Sequence, residues 1–580
     1  MDVKDEARRW GIEPGYHDVF GNWHEAKPEA LRLLIEALSH GRHKPLQSQE
    51  NVEPLRAFQG EGRHWALAVQ LYSLRSGRDG GIGDFTDLKQ LIEIAAANGA
   101  AAIALNPLHA LFWDRPQDAS PYAPNSRLFL NVLAVDVAAL PEAARKVAKP
   151  GARDPDLIDY AAAGKRKLTA FRAAFEEFRD RPSKARRDDF EAFRADRGEG
   201  LLRFSCFEVL REKFAGKPWR DWPSPWDCPE VAALEKFRAD HREACEFHEY
   251  MQWNADRQLG ECKETARKAG MAVGLYIDLA VGIHPDGSDA WSNQHSVLNG
   301  VSVGAPPDEL NTSGQDWGLA PFNPASLPDN DFATLRELLR AIMRHAGAIR
   351  IDHVLGLKRT YMIPRGVSAQ EGTYVRFPFE ALLRVIAEES NRARCAVIGE
   401  DLGTVPDGFR DTLVRFGVWG YRVMLFERDQ SGSFKPPETY PAEALAAFNT
   451  HDLPTLRGWL AGHDLQVKRK LGLDPGETDE QRRASLDKLR WFIGERAGEY
   501  RDDELAAVVK LLGDTPSKLV VVSIEDILDI ADQPNVPGTV DEHPNWRQRL
   551  PVSVEELSGS AALRRVGEIF GRAGRGRGPA

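Results

Sequence analysis

The sequence predicts an α/β protein folded as a (β/α)8 barrel, with a large helical insertion and a small N-terminal helical extension. Three observations predict it. Eight short apolar segments of strand character recur between residues 66 and 526, most of them separated by helical or loop stretches, which favours a closed barrel over an open sheet. Several of these segments end on Asp, Glu, Arg or His, and a barrel gathers the C-terminal ends of its strands at one mouth. The 580 residues, 42% of them hydrophobic, suffice for a large core, and 28% charged residues make an ordinary solvated surface.

Residues 1–63 form the extension. Leu31, Leu34, Ile35 and Leu38 repeat at helical spacing and give one apolar face. The polar, Gly-bearing stretch 47–62 is a linker. The barrel spans 64–550, and its first strand runs from Ala66 to Tyr72. The Gly-rich turn GRDGGIGDF follows; it lacks the GxGxxG and GxxxxGK patterns of phosphate cradles, and Asp84 is placed to cap the helix that starts at Phe85, with Asp87 in its first turn. The second strand, AAIALNP, leads into a long loop through Tyr122.

From about 141 to 268 the alternation stops and helices take over. Leu168, Phe171, Phe175 and Phe178 share one face and read as core packing. The stretch KPWRDWPSPWDCP divides the insertion, and Trp222 and Trp226 read as packing there rather than as sugar platforms. Strands return at 274–281, 348–354, 395–403, 420–426, 445–452 and 518–526. The segment 551–580 ends in GRAGRGRGPA, whose basic, Gly-rich composition predicts a disordered tail.

The chemistry is predicted at the strand ends. Asp278 closes the third strand; Arg350, Asp352 and His353 the fourth; Glu400 and Asp401 the fifth; His451 and Asp452 the seventh; Glu525 and Asp526 the eighth. Carboxylates that converge on one mouth repel one another, a costly arrangement for structure alone. Arg350 shares a strand face with Asp352 and can hold it ionised and aimed, although a plain salt bridge is the competing reading. An ionised carboxylate facing a protonated one is the equipment of a retaining glycosidase, with the pair about 5–5.5 Å apart. Neighbouring strands, about 4.7–4.9 Å apart, supply that spacing for Asp352 and Glu400. Asp452 can then hydrogen-bond sugar hydroxyls.

The motifs RIDH (350–353), GEDLGTVP (399–406) and NTHDLPT (449–455) resemble the catalytic strands of 4-α-glucanotransferases of the amylomaltase, or disproportionating-enzyme, family in the α-amylase clan. SPYAPNSRLFLN (120–131), GLYIDLAVG (274–282), GAPPDELNTSGQDWGLAPFNP (304–324) and DQPNVPGTVDEHPNWRQRL (532–550) extend the resemblance over about 64–550. The resemblance implies Asp352 as nucleophile, Glu400 as acid/base and Asp452 as transition-state stabiliser, with Arg350 and His451 in support. It also implies Asp278 as the acidic residue after strand three, Tyr122 as the aromatic on the donor sugar, and Gln315 and Trp317 as acceptor-side residues on a loop able to cover the mouth. After His353 the chain reads VLGL where many amylomaltases have Phe-Arg-Gly, which puts the subgroup in question. The implied partners are an α-1,4-glucan donor and a glucose or maltooligosaccharide acceptor. An α-glucan hydrolase or debranching enzyme on the same barrel, or a non-catalytic glycan-binding barrel, stays open.

Other classes are disfavoured. A net charge of −11 argues against nucleic acid as a partner. The uncharged stretch from Ile94 to Trp113 contains Asn98, Gly99, Pro107 and His109 and is no membrane span. Cys206, Cys228, Cys245, Cys262 and Cys395 form no CxxC and no zinc pattern, and no DxDxDG calcium loop occurs, so neither metal nor cofactor is expected. The start lacks a secretory signal, and a reduced, cytoplasmic protein is predicted.

Overall fold

The computed structural model describes residues 2–18, 21–39, 45, 52–78, 80–143, 156–307 and 314–576. Its centre is a closed barrel of eight parallel strands, each one a predicted segment: His64–Val69, Ala102–Leu105, Gly274–Leu279, Ala348–Ile351, Ala396–Gly399, Trp419–Val423, Ala444–Ala447 and Leu519–Ser523. Each pairs with the next, and the eighth closes on the first.

Alternation along each strand sorts the side chains. Trp65, Leu67, Val69, Ile103, Ile277, Ile349, Val397 and Val520 point outward into the main core beneath the helices. Ala66, Ala102, Ala104, Tyr276, Ala348, Ala396, Ile398, Tyr421, Ala447 and Val521 point inward and fill the barrel. Strands one and two thus line the interior with alanines where strands three and six supply tyrosines, and the interior is roomier on the alanine side.

The helix predicted from Phe85 runs Phe85–Ala97. Asp84 caps it in a reciprocal box with Asp87, and Arg78 ties both carboxylates to Asp136. The Gly-rich turn therefore serves as a helix cap. The insertion consists of helices Tyr160–Asp180, Lys184–Lys213, Val231–Asp240 and Arg242–Lys268. Phe171, Phe175 and Phe178 are buried as predicted, and Trp222 and Trp226 pack into a separate cluster with Phe207 and Trp291.

Three features depart from prediction. The N-terminal extension is not purely helical: helices Val3–Arg9 and Pro28–Ser39 flank a hairpin of Gly15–His17 with Trp23–Glu25, strands too short to show a period in sequence. Trp10, Ile12, Leu31, Leu34 and Leu38 pack against Val301, Met362 and Val375. Those last residues belong to a second departure, a four-stranded antiparallel sheet of Thr373–Arg376, Arg359–Pro364, Val301–Ala305 and Gln315–Leu319 built from the loops after strands three and four. Third, the C-terminal tail is ordered to residue 576. Helix Ala561–Arg572 stacks Phe570 on Trp65, and Arg575 is fully buried, donating to the carbonyls of Gly513, Ser517 and His64. One buried guanidinium saturated by carbonyls outweighs the disorder that composition suggests. Residues 577–580, and part of the linker, lie outside the described residues.

No helix among the described residues is long and apolar enough to cross a membrane.

Candidate active site

The mouth is organised by one buried arginine. In the parallel register Arg350 lies beside Asp278 of strand three and Ile398 of strand five, and inward alternation then brings Asp352 and Glu400 to the next layer on adjacent strands. Arg350 Nη1 donates to Asp278 Oδ1 and Oδ2 at 2.9 and 2.7 Å and meets Asp352 Oδ1 at 2.9 Å; Nη2 stands 3.7 Å from Glu400 Oε2. One guanidinium thus holds Asp278 and Asp352 and faces Glu400, so three carboxylates share a space that their mutual repulsion would otherwise open.

The chain reverses directly after Asp352. His353 adopts a left-handed conformation (φ 46°), which turns its N–H onto Glu400 Oε2 at 3.0 Å. Leu402 N donates to Glu400 Oε1 at 2.7 Å. Gly399, just before Glu400, is required by space: a Cβ there would lie 2.8 Å from Val354. Each Glu400 oxygen keeps a further lone pair for substrate or proton.

Burial raises both members of this pair. It pushes Asp352 up to about 6, with Arg350 opposing and Asp278 and Glu400 adding to the rise. Burial also raises Glu400, against Arg350 and the two backbone N–H groups. Both carboxyls are therefore held above the ordinary range, and what distinguishes them is the guanidinium, which touches Asp352 at 2.9 Å and stands 3.7 Å from Glu400.

On the far side, Tyr122 donates to Asp278 Oδ2 at 2.6 Å and stacks on His451 with centroids 5.0 Å apart. His451 Nε2 lies 3.1 Å from Asp452 Oδ2, and Asn535 donates to Asp452 Oδ1 at 2.6 Å. Burial works against charge on both partners, but their mutual attraction prevails: His451 is raised and Asp452 lowered. Trp317 meets His353 edge-on at 5.3 Å and is steered by its Nε1–H bond to Gln315 Oε1 at 3.1 Å.

Of the predicted residues, Tyr122, Asp278, Arg350, Asp352, Glu400, His451 and Asp452 form one connected network, with Trp317 and Gln315 at its edge on the antiparallel sheet. Asp401 and Asp526 do not reach the mouth. Both turn away from it: Asp401 binds Arg410, Arg422 and the Tyr421 N–H, and Asp526, on the short helix Ile524–Ile527, accepts from Leu456 N and Asn449. The residues missed in sequence are Asn535 and Gln533, which hold Asp452 by its side chain and its carbonyl. Their signal was the polar QPN triplet in a segment otherwise read only as a motif. No group of three or more His, Cys, Asp or Glu suited to a metal ion occurs among the described residues.

Fold and mouth together are those of a (β/α)8-barrel enzyme with a carboxylate-rich centre, and the comparisons with known proteins agree. The model of the 4-α-glucanotransferase family matches residues 69–554. The 4-α-glucanotransferase of Mycobacterium bovis is 38% identical over 521 residues, covering 84% of this chain and 71% of the relative; that of Haemophilus influenzae is 34% identical over 561 residues, covering 88% and 80%. The crystal structure of amylomaltase from Corynebacterium glutamicum superposes with a TM-score of 0.83 at 27% identity, covering 98% of this chain and 99% of that one. The chain belongs to the 4-α-glucanotransferase family, and it is an enzyme of that class.

Proposed function

We propose that this enzyme moves segments of α-1,4-glucan from one chain to the 4-hydroxyl of glucose or of another glucan by retaining double displacement. The observation that carries this reading is the arginine bridge: Arg350 aims Asp352 beside Glu400, contacting the first at 2.9 Å and standing 3.7 Å from the second. Asp352 attacks the anomeric carbon while Glu400 protonates the departing glycosidic oxygen, leaving a covalent glucosyl-enzyme. Glu400, now a base, takes the proton from an incoming 4-hydroxyl, and the new α-1,4 bond forms with retention.

Asp452, kept ionised by His451 and Asn535, binds hydroxyls of the sugar as its ring flattens toward the oxocarbenium-like state. Tyr122 and Asp278 line the donor side. Gln315 and Trp317 line the acceptor side and keep water from the intermediate. The chemistry needs carboxylates and a guanidinium only, so no cofactor or metal enters it.

The test is a time course on pure maltotriose. Transfer yields glucose with maltopentaose and longer chains while the total of reducing ends stays nearly constant. A reducing-end total that climbs in step with glucose, without longer products, makes the enzyme a hydrolase.

A further inference from the structure

The mouth continues inward as a cavity of about 80 Å³. Asp278, Arg350 and His451 bound it on one side, and Gln70 and Glu525, just past the ends of strands one and eight, on the other. The room exists because Ala68 and Ala104 line that half of the barrel. Such a volume takes one hydroxyl-bearing arm or a few waters, not a whole sugar ring.

Two polar groups with bonding capacity to spare open onto it. Gln70 is 8% exposed, and its Oε1 is buried with no hydrogen bond. Glu525 is 7% exposed, and its carboxyl makes no hydrogen bond or ion pair with another side chain among the described residues. Burial pushes Glu525 up to about 7. Buried polar groups are nearly always satisfied, so an unsatisfied amide oxygen and a buried carboxyl that no other side chain binds, facing one cavity beside Asp278 and His451, mark a place where a polar ligand belongs.

Resting on the transfer reading above, we propose that Gln70 and Glu525 form the floor of the sugar site and bind a hydroxyl of the glucosyl unit being transferred. They are specificity-determining residues for that hydroxyl. A site built to hydrogen-bond a hydroxyl rejects the analogue that lacks it, because its own groups are then left unpaired.

The experiment couples substitutions to deoxygenated donors. Glu525→Gln and Gln70→Leu are compared with wild type on α-glucosyl fluoride and its 2-, 3- and 6-deoxy analogues, with maltose as acceptor and thermal melts to confirm folding. For one analogue, wild-type kcat/KM falls about 10- to 100-fold. Each variant loses activity on the intact donor but less than about 3-fold more on that analogue, because the lost contact is the same one. Independent losses that multiply for all three analogues would overturn the proposal and leave the cavity a place for water. A wild type that transfers nothing from the intact fluoride would sink the transfer reading itself.

Discussion

The same pair of letters follows two barrel strands. Glu400-Asp401 comes directly after strand five, and Glu525-Asp526 lies in the short helix Ile524–Ile527 that follows strand eight. In both, the glutamate faces the mouth and the aspartate turns away from it, yet the four acids have different surroundings. Glu400 is gripped by two backbone N–H groups and faced by Arg350, whereas no side chain among the described residues binds Glu525. Asp401 is neutralised by two arginines, whereas Asp526 has only neutral donors and burial pushes it up to about 6. The lesson is that acidity at a strand end says where a group can matter, while its cationic and N–H neighbours decide what it does.

The largest expected effect tests the inward acid of strand five and its nucleophile partner. Asp352→Ala abolishes transfer in a folded protein, since no neighbour can replace the atom that bonds the sugar. Glu400→Gln lowers turnover of maltotriose by about 10²- to 10⁴-fold, the usual worth of a general acid. The first step from a glycosyl fluoride is spared, because fluoride leaves without a proton. Burst measurements of fluoride release check this, and equal damage with both donors removes Glu400 from the acid role.

The outward acids should separate next. Asp401→Asn strands the buried Arg422 guanidinium and costs about 3–5 kcal/mol of stability, nearer the low end because Glu427 lies 3.9 Å from Arg422. Asp526→Asn meets only neutral donors and costs about 1 kcal/mol. Denaturant titrations of both variants give the two numbers, and equal costs would contradict the contrast drawn from their partners.

A third prediction runs the opposite way. Folding raises Asp352 from 3.8 to about 6, so the folded chain binds the extra proton and stability falls as pH rises from about 4 to 6. Asp352→Asn removes that penalty. It should stabilise the protein by about 1–3 kcal/mol at pH 7, and the gain should vanish below pH 4. Catalysis has the other sign: wild-type kcat/KM declines as pH drops through about 6, where the nucleophile takes up its proton. Melts and rates across pH 4–8 test both.

All eight strands and the inward row from Asp278 to Glu400 were legible in the sequence, because period-2 alternation is local and the strand ends carry charged residues. That Asp401 turns away from the mouth was legible in principle from the same alternation; that Asp526 does was not, because the chain is already helical from Ile524. The antiparallel sheet bearing Trp317 was not legible: its two hairpins lie in different loops and join only because the barrel brings the loops of strands three and four together. Nor was the ordered tail, since what holds Arg575 is a set of carbonyls from Gly513, Ser517 and His64, a long-range fact that composition does not carry.

The smallest expected effect concerns Asp452, which no strand register positions. It sits past the end of strand seven and is held instead by His451 at 3.1 Å and Asn535 at 2.6 Å. Asn535→Ala removes the donor to Oδ1 but leaves the histidine. The Asp452 side chain is 41% exposed, so water replaces part of the lost bond, and kcat/KM should fall only about 3- to 10-fold, below the usual range for a bond to a charged group. A donor that favours the ionised form lowers a carboxyl's affinity for protons, so its removal raises Asp452 and moves its acid-side loss of activity toward neutral pH. Asn535→Asp gives no rescue, because it sets a second carboxylate against the first. A merely structural Asn535 would lower the melting temperature and leave the pH profile where it was; a shifted acidic limb at unchanged stability shows that it positions and charges Asp452.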